Sequence, residues 1–141
     1  MFNRSETSRI KQEFWTTFGK YMSPVPSAEG LKINWVNYRT GVKDVFFRME
    51  TLPDRAAIFI SIEHSDDSIR ELFFDQFLEL KEMLHAALGE EWEWQREMFR
   101  IYKELPGASV LDKQQWPELI SFFKSRIMAL DAFWENGKWS F

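Results

Sequence analysis

Between Ser5 and about Met22 the apolar residues Ile10, Phe14, Trp15, Phe18 and Tyr21 recur at spacings of four, one, three and three. That stripe is one face of an amphipathic helix, with Ser5 in place to cap it. Ser23-Pro24-Val25-Pro26-Ser27-Ala28-Glu29-Gly30 stops it, since clustered prolines and a glycine do not continue a helix. The pattern then changes period. Ile33, Trp35, Val36 and Tyr38 within Lys32 to Tyr38 predict a first strand, followed by the polar stretch Arg39 to Asp44. Val45 to Leu52 predicts a second, closed by a Pro53-Asp54 turn. Arg55 to His64 predicts a third, with Ile58, Ile60 and Ile62 in strict alternation. Connections this short favour antiparallel neighbours.

Asp66 to Leu88 reads as one long helix. Ile69, Leu72, Phe73, Phe77, Leu80, Leu84 and Ala87 hold helical spacing, Ser65 or Asp66 caps the start and Gly89 the end. Two shorter strands are expected over Glu91 to Gln95 and Met98 to Leu105, joined through Arg96-Glu97. A last helix starts at Trp116-Pro117, with proline at the first helical position, and runs to about Asn136 before Gly137. The predicted order is α-β-β-β-α-β-β-α. The expected class is α+β, in two layers: a five-stranded antiparallel sheet with helices on one face. There is no internal repeat, and the expectation is one domain over residues 1–141.

Composition narrows the class. Fourteen Phe, 7 Trp and 3 Tyr in 141 residues supply enough large apolar surface to offset ordering entropy, which excludes a disordered chain. Absence of cysteine removes disulfides, thiolate metal sites and a Cys nucleophile. The net charge of −4 argues against a globally basic nucleic-acid binder. No signal-peptide pattern and no run near the ~18 apolar residues of a membrane span is present. The expectation is a cytoplasmic protein with no membrane partner.

No motif for catalysis survives inspection. Glu63-His64-Ser65-Asp66-Asp67 is the densest polar cluster, but it reads as a helix cap flanked by solvated charges, with His85 far along the chain. Glu79-Leu80-Lys81 resembles a nuclease core only in letters, because the pair falls within a helix and the two charged residues do not share a face. Six scattered glycines make no phosphate loop, and Arg39 to Lys43 reads as a solvated hairpin tip. No catalytic residue, metal ligand or cofactor is assigned.

The second face of the sheet is the candidate site. If Ile58, Ile60 and Ile62 face the helices, Phe59 and Glu63 point away, as do Phe46 and Arg48 on one neighbour and Arg100 and Tyr102 on the other. Arginine and aromatic residues are enriched at interface centres. The alternative is an ordinary solvated sheet face with its Arg and Glu paired across strands. Three large rings on one exposed face tip the reading toward an interface and make Phe46, Arg48, Phe59, Glu63, Arg100 and Tyr102 the expected ligand- or partner-binding residues.

The chain also resembles a bacterial domain-of-unknown-function family, number 4268. The resemblance lies in Phe14-Trp15 with Phe18-Gly19, Ile33-Asn34-Trp35, Gly41 to Glu50, Ile69 to Phe74, Gly89-Glu90-Glu91-Trp92, Arg100 to Lys103, and Trp116-Pro117-Glu118 with Ser121-Phe122-Phe123. It covers nearly the whole chain and implies no reaction and no catalytic residue. Such domains also end longer bacterial proteins whose front half is nuclease-like. This chain opens at Met1 directly before its first helix, so that half is expected to be missing.

Three expectations follow. The first is a non-catalytic interaction module that self-associates through the exposed sheet face. The second is an accessory nucleic-acid domain working beside a nuclease, with Arg39, Lys43, Arg48 and Arg55 on phosphates. The third is an enzyme for a small acidic substrate using Arg48 and Glu63.

Overall fold

A computed structural model describes residues 2–141. Helix α1 spans Arg4–Met22 and is capped by Asn3, two residues before the expected Ser5, through a 2.8 Å bond from the Glu6 amide to Asn3 Oδ1. Strands β1 (Val45–Leu52) and β2 (Arg55–Ile62) form the hairpin closed at Pro53-Asp54. Helices α2 (Asp67–Glu79) and α3 (Lys81–Leu88) follow, then β3 (Glu93–Gln95), β4 (Arg100–Pro106) and α4 (Trp116–Gly137). The sheet has four antiparallel strands in the order β1-β2-β4-β3. The class is α+β, and the order along the chain is α-β-β-α-α-β-β-α.

The fifth strand predicted at Lys32 to Tyr38 does not form. Asn34 Oδ1 accepts the amides of Val36 and Asn37, each at 3.1 Å, so the side chain takes donors that a strand ladder would need. The apolar residues there serve another purpose: Trp35 is buried, and its indole nitrogen donates to the Val25 carbonyl at 2.9 Å. From Ser23 to Asp44 the chain contains neither helix nor strand. Such stretches beyond about 12–15 residues are uncommon inside compact domains and usually carry function.

Three boundaries also differ from expectation. The long helix breaks at Leu80, whose amide reaches back three residues to the Phe77 carbonyl at 3.0 Å; no proline or glycine marks the place. The Arg96-Glu97 connection is a 3-10 turn over Arg96–Met98 ending at Phe99 in the left-handed region, so β4 starts at Arg100 rather than Met98. Gly137 continues α4 instead of ending it. It is glycine because a Cβ there would sit 2.9 Å from the Phe133 ring. Gly89, by contrast, closes α3 in the left-handed conformation, as its position predicts.

One core cluster joins the helices to the inward sheet residues Val45, Phe47, Ile58, Ile60, Ile62 and Ile101. Phe14, Phe18 and Phe123 are fully buried between α1 and α4, each worth about 1.5–3 kcal/mol relative to exposure. Ala57, Phe59 and Tyr102, on the other side of the sheet, form a separate small cluster with no helix residue in it. Among the described residues no helix is long and apolar enough to cross a membrane.

Candidate functional site

Strand register gathers all six predicted site residues on the helix-free side of the sheet. Phe46 pairs with Ser61, which pairs with Arg100. Arg48 pairs with Phe59, and Phe59 with Tyr102. Glu63 extends past the end of β2, beside Arg48. The expected exposed aromatic face is not what results, however. Phe59 and Tyr102 are only 7% and 8% exposed, and of the three rings Phe46 alone is open, at 36%.

Arginines cover the rings. The Arg100 guanidinium lies 4.3 Å from the Tyr102 ring centre and 5.4 Å from that of Phe59, and Gln95 accepts from its Nε. Arg48 lies 4.3 Å over Phe46 and donates twice to Glu63, with Nη2 to Oε1 at 2.7 Å. That pair holds the Glu63 carboxyl below its ordinary value, and the same bond raises Arg48. Burial, followed by the 2.9 Å bond from Tyr102 Oη to Glu104, raises the Tyr102 phenol. Glu63 is therefore a locked carboxylate, and Tyr102 turns to Glu104 rather than toward Arg48 and Glu63. No acid–base pair forms from these three groups.

The other sequence candidates resolve into local structure. His64 Nδ1 accepts the Asp66 amide at 2.9 Å, and Asp66 caps α2 through the Ser68 amide. Among the described residues no group of three His, Asp or Glu is placed to hold a metal. Arg39 to Lys43 is no hairpin tip: Thr40 is buried, its hydroxyl donates to the Val45 carbonyl, and its carbonyl accepts from the Trp134 indole at 2.6 Å.

A second site escaped the sequence reading. The 23–44 segment folds over the C-terminal half of α4 and is strapped to it at Asp131 and Trp134, and to Lys138 just past its end. Asp131 is 8% exposed. Its Oδ1 accepts from Tyr38 Oη at 2.6 Å and its Oδ2 from the Ala28 amide at 2.7 Å. Lys138 pairs with Glu29 at 2.8 Å. Burial first, then the bond to Asp131 and its charge, push the Tyr38 phenol far above its ordinary value. Between segment and helix lies a cavity of about 550 Å³. A signal for Asp131 was present in the sequence: it sits four residues after Ile127 and three before Trp134, on the inward stripe of the last helix.

No curated protein and no solved structure matches the chain. The family model described as "Domain of unknown function (DUF4268)" matches residues 10–138. That span takes in most of α1, the strapped segment, the whole sheet and all of α4, so the chain belongs to this family.

Proposed function

We propose that the domain is a non-catalytic interaction module that associates with a second copy of itself through the outer face of the sheet. The observation that carries this reading is a sheet face without helix cover whose side chains are already ordered by the Arg48–Glu63 pair and the Arg100–Tyr102 stack. Preordered side chains reduce the entropy lost on association. The face is also close to neutral, with Arg48, Arg55 and Arg100 against Glu50, Glu63, Glu93 and Glu104, so two copies need not repel. β1 and β2, of eight residues, span about 26 Å, β4, of seven, about 23 Å and β3, of three, about 10 Å, at about 4.8 Å between strands. A face-to-face pair would bury on the order of 800 Å² in all, the range of weak, transient interfaces. The expected dimer is therefore weak and concentration-dependent.

The nucleic-acid reading has less support. Arg48 and Arg55 are engaged with Glu63, Asp54 and Glu104, while Arg39 lines the separate cavity on α4. These cations do not form one open basic surface. Sedimentation velocity tests the proposal: the wild-type chain should shift toward dimer across the micromolar range, and Phe46→Asp, at the open ring, should stay monomeric. A wild-type monomer throughout that range rejects the sheet-face interface.

A further inference from the structure

The cavity on α4 is independent of the sheet face and has its own chemistry. Its volume of about 550 Å³ falls within the ~300–1,000 Å³ of ligand pockets. Asp131, Tyr38 and Trp134 line it, and Asp131 and Trp134 are almost wholly buried. A carboxylate has about four acceptor positions; the protein fills two at Asp131, from Tyr38 and the Ala28 amide. Among the described residues no Lys or Arg forms an ion pair with Asp131. An ionised carboxylate buried without a countercharge is unfavourable, and a cation brought by a ligand would relieve it.

The remaining lining fits the same visitor. Tyr38 and Trp134 supply aromatic lining, the residue type that attracts organic cations, each with one ring face already stacked, on Phe47 and Phe77 respectively. Lys138 is held by Glu29, whereas Glu135 and Arg39, both exposed, have no ion pair among the described residues. We propose that this cavity binds a small organic cation, its ammonium group seated against Asp131 with Glu135 as a second, outer carboxylate. The ammonium has two chemical sources. A simple amine would use the acidic side alone; an amino acid would also place its carboxylate near Arg39.

Nitrogen-15 NMR titration of the full chain separates these cases, using isoamylamine, which lacks the carboxylate, L-leucine, and isovalerate, which lacks the ammonium. The amide of Ala28 and the indole N–H of Trp134 are the reporters, because the first donates to Asp131 and the second sits in the wall. Isoamylamine, L-leucine or both should shift them saturably at millimolar concentration, and isovalerate should not. A response to isoamylamine identifies a plain amine site; a response to L-leucine alone identifies an amino-acid site that uses Arg39. Glu135→Gln should weaken amine binding about two- to fivefold, the range of an exposed ion pair, and Asp131→Asn should abolish it. If Asp131→Asn does not fold, Glu135→Gln alone decides. The proposal is overturned by silence with both amines, by equal shifts with isovalerate, or by amine affinity that the folded variants leave unchanged.

Discussion

Replacing Asp131 with alanine measures how firmly the 23–44 segment is held to α4. The wild-type carboxylate receives two hydrogen bonds, from Tyr38 Oη at 2.6 Å and from the Ala28 amide at 2.7 Å. Bonds to charged groups are worth about 1.5–3 kcal/mol each, so their loss costs at most about 3–6 kcal/mol. Removing a buried carboxylate that no cation neutralises returns part of this, leaving an expected net destabilisation of about 2–4 kcal/mol. Tyr38→Phe deletes one of the two bonds and should cost about 1.5–3 kcal/mol. The double variant should cost less than the sum by about 1.5–3 kcal/mol, since both changes remove the same bond. Urea unfolding at constant slope gives all three values. A cost below about 0.5 kcal/mol for Asp131→Ala, the range of an inert surface change, would falsify the clip, as would strict additivity of the pair.

Glycine-to-alanine changes should have opposite signs on the first and last helices. At Gly137 the new Cβ meets the buried Phe133 ring at 2.9 Å, so overpacking of about 1–3 kcal/mol outweighs the ~1 kcal/mol helix gain and the melting temperature falls. At Gly19 the nearest atom is Val36 Cγ2 at 3.4 Å, so the helix gain survives and the melting temperature rises; equal shifts in one direction would contradict this packing. Acid stability should depend on Glu90, which accepts from Arg126 Nε and Nη2 and from the Trp92 indole, each at 2.9 Å. Burial by itself would raise the Glu90 carboxyl, but those bonds and the Arg126 charge hold it below its ordinary 4.5. The unfolded chain thus binds the proton first, so the stabilisation is complete above about pH 5 and is lost as pH falls through the folded value. Glu63 is lowered in the same direction, but its exposure leaves a smaller contribution. Glu90→Gln should flatten the acid side of a stability–pH curve, and a slope identical to wild type would rule the pair out.

The sequence by itself determined the elements whose burial pattern is local. α1 and α4 repeat apolar residues on one stripe, β1 and β2 alternate around a short turn, and Asp66 and Gly89 mark helix ends by their own backbone chemistry. It also placed Phe46, Arg48, Phe59, Glu63, Arg100 and Tyr102 on one face, because side-chain direction in a strand depends only on parity. What covers that face was decided by tertiary structure. Whether a ring is open or roofed depends on where the guanidinium of Arg48 or Arg100 comes to rest, and that follows from strand register and from partners such as Glu63 and Gln95. The same holds for Lys32 to Tyr38, where Ile33, Trp35, Val36 and Tyr38 look like a strand although their partners lie on remote elements. Tyr38 and Asp131, 93 residues apart, show the reason most directly: no local period encodes a hydrogen bond closed only when the chain returns as its last helix.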